Sequence, residues 1–202
     1  MTAIAEQIAQ ELNVKPHQVD AAISLLDDGA TVPFIARYRK EVTQGLDDTH
    51  LRQLAQRLSY LRELNDRRGV ILTSIEQQGK LTPELRQQLV AADNKTRLED
   101  LYLPFRPKRR TKGQMAIEAG LEPLADKLFG DWHLSPEQEA QAFVNSDAGY
   151  GDVKAVLDGV SFILMERFSE DANLLQKLRQ HVLKQGHLES KVVKKNQQDA
   201  AK

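Results

Sequence analysis

Apolar residues recur three and four apart through most of this chain, a spacing that lines one face of successive helices. Ile4, Ile8 and Leu12 predict a first short helix over 2–12. Pro16 suits the opening turn of a second, with Val19, Ile23 and Leu26 as its stripe and Asp28-Gly29 as its end. A third short helix is expected over 33–40, with Phe34, Ile35 and Tyr38 inward and Arg37, Arg39 and Lys40 outward. Asp47 or Asp48 caps the longest element. Leu51, Leu54, Leu58 and Leu61, then Leu64, Ile71 and Ile75, predict a helix over 48–78, about 45 Å long at ~1.5 Å per residue. Gly69 is a candidate bend. Asn65 and Arg68 stand where a heptad seam wants apolar residues, which argues against a self-associating coiled coil.

Gln78-Gly79 stops this spine, and Thr82-Pro83-Glu84 opens a helix with Leu85 and Leu89 that ends near Ala92. Asp93 or Asn94 caps the next, which carries Leu98 and Leu101. Further on, Thr111 caps a helix to Ala119 with Met115 and Ala116 inward, and Glu122-Pro123 opens another with Leu124 and Leu128 buried. Trp132 follows in a loop and reads as a packing anchor. Ser135-Pro136 opens a helix ending at Phe143 and Val144, and 145–151 is a turn. Asp152 caps a helix whose broad apolar face, Val153, Val156, Leu157, Val160, Ile163 and Leu164, should be central. Ser169 or Asp171 caps the last helix, with Leu174, Leu178 and Val182 inward and Gly186 after it. Leu188, Val192 and Val193 suit one short strand, and the polar remainder reads as a connection cut midway.

One stretch breaks the pattern. Leu98–Lys112 reads LEDLYLPFRPKRRTK: apolar at helical spacing first, then five cations and no acid. Pro104 and Pro107 end the helix near Leu101, because proline removes a donor and pushes its predecessor out of the helical region. A stiff arm follows, bearing Arg106, Lys108, Arg109, Arg110 and Lys112. The net charge is −1, so this +5 window leaves −6 on everything else. Two readings stay open: an arm that contacts nucleic-acid phosphates, or a solvated loop whose cations pair with acids elsewhere. The first three helices likewise fit a helix-turn-helix-like unit or any small bundle.

Composition narrows the classes. Charged residues make up 28% and aromatics 5%, β-branched runs are rare, and the chain reads as helical. Cysteine is absent, which excludes disulfides, thiol catalysis and cysteine-bound metal and fits a cytoplasmic protein. Neither a secretory leader nor a membrane span is legible. His17, His50, His133, His181 and His187 match no metal spacing. There is no Walker loop and no G-x-S-x-G elbow, and Gly149-Tyr150-Gly151 reads as a turn. The doublets Glu99-Asp100 and Glu170-Asp171 point about 100° apart on a helix and suit capping or ion pairing rather than acid–base work. The reading is a non-enzyme without metal or cofactor.

Gly29–Glu41 (GATVPFIARYRKE) and Leu98–Lys112 resemble two signature stretches of the N-terminal region of the bacterial Tex family of transcription accessory proteins, and Leu157–Asp171 (LDGVSFILMERFSED) resembles a third. The resemblance implies a longer parent with a ribonuclease-H-like domain that does not cut, helix-hairpin-helix units and a C-terminal OB-fold RNA-binding domain. It also implies a layout like that of a eukaryotic elongation factor, and nucleic-acid binding whose principal module lies outside these residues. It supports the helix-turn-helix-like reading of the first helices.

The expected architecture is all-α, a multi-helix array around one long central helix. It comprises helix-turn-helix-like helices over 1–46, a long helix and hairpin over 47–101, the basic arm over 102–112, a helical part over 113–187 and a truncated connection over 188–202. The expected role is a non-enzymatic scaffold that binds nucleic acid, RNA rather than sequence-specific DNA, through Arg106, Lys108, Arg109, Arg110 and Lys112, with Arg37, Arg39 and Lys40 as a second set. The alternative is an interaction module docking on transcription machinery or on the missing domains of its own chain, in which Arg37 and Arg39 brace against Glu99 or Asp100. A weaker third reading is a DNA regulator built on the first three helices.

Overall fold

The structure, a computed structural model, describes residues 3–191. Among them the fold is all-α, with one isolated antiparallel bridge between Asn145 and Tyr150 and no strand. The chain forms two compact units that meet in sequence at Lys95 and Thr96. Leu188 lies in irregular chain, and Val192 and Val193, the rest of the expected strand, fall outside the described residues.

The first unit contains α1 (Ala3–Leu12), α2 (Pro16–Asp27), α3 (Val32–Tyr38), α4 (Asp48–Gln77) and α5 (Pro83–Ala91). Asn13 and Gly29 end α1 and α2 in the left-handed region, φ +54° and +87°, which lets each chain turn sharply into the next helix. The Asp47 side chain caps α4 by accepting from the His50 backbone N–H at 2.8 Å. As expected, α4 is the spine of this unit: Leu51, Leu54, Leu58, Leu61, Leu64, Ile71 and Ile75 are all buried along it. The residue that spoils its heptad has a use. Arg68 turns its guanidinium onto the C-terminal end of α5, donating to the carbonyls of Leu89 at 3.0 Å and Ala92 at 2.8 Å. Those carbonyls have no partner inside the helix, and a cation there also suits the helix dipole.

Two bidentate pairs tie the short helices to the spine. Arg57 donates to both Glu11 oxygens at 2.6 and 2.8 Å, and Arg62 to both Asp27 oxygens at 2.7 and 2.8 Å. The Arg57 hydrogen bond holds the Glu11 carboxyl below the usual carboxylate range, and Arg62 does the same to Asp27.

The second unit contains α6 (Lys95–Tyr102), which opens on the boundary, α7 (Lys112–Glu118), α8 (Glu122–Gly130), α9 (Pro136–Ala140), α10 (Val153–Glu170) and α11 (Ala172–Gln185), with 3₁₀ turns at Leu103–Phe105 and Gln141–Phe143. Its core gathers Val156, Val160 and Ile163 of α10 with Ala116, Leu121, Leu124, Ala125 and Ala140. The predicted central role of 153–164 is observed. Gly159 lets Leu121 and Tyr150 pack directly on α10: a Cβ there would come within 2.6 Å of Leu121 and 2.7 Å of the Tyr150 ring. Asp152 and Asp171 cap α10 and α11 by accepting from backbone N–H groups.

Several side chains expected inward are exposed. Ile35 is fully buried, yet Phe34 and Tyr38 keep 40% and 56% of their surface in water. Phe34 and Tyr38 are four apart and share a face about 60–100° from Ile35, so burying one side of a seven-residue helix leaves the other out. The same offset separates buried Ala116 from exposed Met115. Leu178 and Val182 are exposed because polar contacts hold α11: Arg97 donates to the Ala172 carbonyl and the Asn173 side chain, and Arg179 forks onto buried Asp100. Trp132 does not anchor packing; it is 85% exposed and its ring lies beside that of His133.

Two expectations follow. Arg68→Ala strands two carbonyls and should destabilise the chain by about 1.5–3 kcal/mol, the worth of a hydrogen bond to a charged donor, measured by urea unfolding. Glu11 and Asp27 have folded-state values depressed below their unfolded ones. Their contribution is therefore complete above the ordinary carboxylate range and is lost as pH falls through the depressed values. The thermal midpoint of the wild type should drop across that acid window, and the drop should be shallower in a Glu11→Gln/Asp27→Asn variant.

Candidate nucleic-acid interface

The arm begins where α6 runs out of helix. Leu98, Leu101 and Tyr102 are buried and hold its root. The 3₁₀ turn carries Pro104, and Arg106 then takes an extended conformation, φ −66° and ψ 127°, as a residue before proline must. The far end is fixed by Thr111, whose hydroxyl accepts from the Gln114 N–H at 3.0 Å to cap α7 and donates to Glu166 at 2.8 Å.

Between these ends the five cations divide. Lys108 is clasped by two acids of α10, Glu166 at 3.1 Å and Glu170. Arg110 pairs with Glu118 of α7. Lys112 places its ammonium 4.8 Å from the centre of the Phe162 ring. Arg106 and Arg109 are exposed and have no acid within ion-pair distance among the described residues. The neutralised-loop reading therefore describes Lys108 and Arg110, and the free-cation reading describes Arg106 and Arg109. Glu166 and Glu170, four apart on one face of α10, are the partners that sequence reasoning passed over for the doublet Glu170-Asp171; that i, i+4 spacing was the available signal.

Gly113 controls the clasp. A Cβ on this residue would come within 2.3 Å of a Glu166 oxygen and 3.0 Å of the Phe162 carbonyl. Its absence lets α7 approach α10 closely enough for Glu166 to reach both Thr111 and Lys108.

The second predicted set, Arg37, Arg39 and Lys40, lies in the first unit and forms no ion pair among the described residues. Arg39 donates to the Tyr38 carbonyl at 3.2 Å and lies 5.3 Å from the Phe34 ring centre, while Arg37 lies 6.0 Å from that of Tyr38. In the second unit Arg179 takes the Asp100 carboxylate, and the contact raises the Arg179 pKa further. Among the described residues no cluster of histidines and acids could hold a metal ion, and no helix is long and apolar enough to cross a membrane.

Fold and site define a class: an all-α scaffold module displaying stiffened surface cations. Residues 2–76 match the family model for the Tex-like protein N-terminal domain, and residues 131–202 match the model for the Tex central region. Protein YhgF of Escherichia coli (strain K12) is 60% identical over 195 residues, covering 96% of this chain and 25% of that protein. The transcriptional accessory protein Tex of Neisseria gonorrhoeae is 55% identical over 199 residues, covering 98% of this chain and 26% of that protein. S1 RNA-binding domain-containing protein 1 of Homo sapiens is 28% identical over 178 residues, covering 87% of this chain and 18% of that protein. The chain belongs to the Tex family of transcription accessory proteins and represents its N-terminal region. It spans about a quarter of the length of the curated bacterial relatives it matches.

Gly113→Ala should push the Glu166 carboxylate aside and loosen the arm. Trypsin should then cut within 108–110 about two- to fivefold faster than in wild type, the shift that roughly 0.5–1 kcal/mol of lost ion pairing gives. Mass spectrometry of the early fragments checks it.

Proposed function

We propose that this chain is a non-enzymatic helical scaffold of a transcription accessory protein, acting in the cytoplasm, and that its arm contributes phosphate contacts to nucleic acid. The observation that carries this reading is the pair Arg106 and Arg109, held out on a proline-stiffened loop with no neutralising acid among the described residues. Lys112 adds a third cation beside them, while Lys108 and Arg110 are engaged by Glu166, Glu170 and Glu118 and serve first to fix the loop. Arg37, Arg39 and Lys40 form a second basic face in the other unit. The names of two relatives, a transcriptional accessory protein and an S1 RNA-binding domain-containing protein, support RNA over sequence-specific DNA as the partner. A three-helix groove reader is disfavoured because its reading element, α3, is only seven residues long.

A second reading rests on a different observation. The outer face of α11 leaves Leu178, Val182 and Leu183 exposed, and Leu188 follows. Such a stripe suits docking on the transcription machinery or on further domains of the longer relatives, and this reading holds alongside the first.

The salt dependence of RNA binding tests the arm. The arm's three cations on a single strand contribute about −2 to the log–log slope, at roughly 0.7 per phosphate. Arg106→Ala/Arg109→Ala should weaken binding and flatten the slope by about 1.4. Equal, salt-insensitive binding by both proteins would remove the arm from the interface.

A further inference from the structure

The first unit displays aromatic surface that its own packing does not use. Phe34 and Tyr38 stand side by side on α3, ring centres 5.4 Å apart at an interplanar angle of 49°, both exposed. Arg37, Arg39 and Lys40 surround them, without an ion pair among the described residues. The second unit has a comparable exposed pair, Phe129 and Phe168, at 5.5 Å. There the adjacent cation, Arg167, is already held by Asp126 at 2.5 Å and Glu122 at 3.0 Å. Among the described residues, exposed rings and cations without an ion pair coincide at α3.

The α3 surface is also built to stay in place. The chain after it turns back through Thr43 N–H to the Arg39 carbonyl at 3.2 Å and Gly45 N–H to the Lys40 carbonyl at 2.9 Å. The buried Thr43 hydroxyl donates to the Lys40 carbonyl at 3.3 Å. Gln18 of α2 then donates to the Gln44 carbonyl at 2.9 Å, and the His17 ring meets the Gln44 side chain at 2.7 Å. The backbone that carries the cations is thus tied to a neighbouring helix, and the rings ride on Ile35, which is fully buried.

We infer that Phe34 and Tyr38 form a stacking platform for the unpaired bases of a single-stranded nucleic acid, with Arg37, Arg39 and Lys40 taking its phosphates. An unpaired nucleotide offers a flat π-face and, one ribose away, a phosphate, and proteins that hold single strands pair aromatic rings with cations for that reason. The guanidinium of Arg39, already over the Phe34 ring, completes a surface on which a base stacks on either group. A duplex hides its base faces and would meet only the cations. An acidic protein would use the cations and leave the rings without a role. The inference rests on the nucleic-acid reading above and adds a second contact, in the first unit, that selects for unpaired strands.

The test uses the whole chain and a fluorescent oligouridylate of about twelve nucleotides, within the span a single binding fold covers. A duplex of equal length serves as comparison. Phe34→Leu/Tyr38→Leu keeps apolar bulk and removes the ring faces; circular dichroism checks that helix content is unchanged. Single-strand affinity should fall about five- to a hundredfold, as loss of one to two stacked bases predicts, with the salt slope and the duplex affinity unchanged. Phe34→Trp/Tyr38→Trp, which keeps the faces, should bind like wild type. Single-strand binding by the leucine variant within about twofold of wild type, an equal loss on duplex, or failure of the tryptophan variant to restore binding overturns the platform. If Arg106→Ala/Arg109→Ala still weakens binding in that case, the arm reading stands alone. If the wild type binds no single strand at low salt, both fall together.

Discussion

The close approach of α7 to α10 is the constraint on which the candidate interface depends. It is set by what Gly113 lacks, and Gly159 has the same use for the neighbours of α10 in the core. Gly113 leaves room for a Glu166 oxygen and the Phe162 carbonyl, and Gly159 leaves room for Leu121 and Tyr150. Packing density in a protein interior is high enough that one added methyl group is felt at such a crossing. With the helices this near, one face of α10 does two things at once. Val156, Val160 and Ile163 close the core, while Glu166 and Glu170 reach out to grip Lys108 and Thr111. The arm is therefore an extension of the core packing, and its two proline-restricted turns finish what the clasp begins.

Charge in this protein has two uses, and geometry separates them. Arg57, Arg62 and Arg68 are committed inside the first unit, each making two directed hydrogen bonds to a carboxylate or to carbonyl oxygens at a helix end. Arg97, Arg167 and Arg179 do the same in the second. These are guanidinium sites, where a planar fork matches its acceptors and an ammonium would not. Arg37, Lys40, Arg106 and Arg109 have no such anion among the described residues. An exposed ion pair adds little stability, so these four cations stay hydrated on the surface at little cost to the fold. The chain's net charge of −1 puts no overall positive field around them.

The helices themselves were legible because they follow from local rules. Spacing of three and four residues, prolines at first turns, and Thr82, Thr111 and Asp152 as caps marked elements that the structure reproduces to within about two residues, except that the helix opened by Pro136 tightens to a 3₁₀ turn after Ala140. The buried seam of α4 and the central place of α10 could be read the same way, as could the stiff basic arm, since proline and charge act on the chain where they stand. Which side chains meet could not be read. Phe34 and Tyr38 share one face and Ile35 another, and only packing against the rest of the unit chose between them. Lys108 finds Glu166 across 58 residues of sequence and Arg179 finds Asp100 across 79, separations that carry no periodic signal. Hydrophobic spacing and caps are properties of a segment, so the sequence alone determined an all-α chain with a proline-stiffened basic arm. Burial and ion pairing are properties of distances between segments, so the tertiary structure decided which aromatics face water and which cations remain unclaimed.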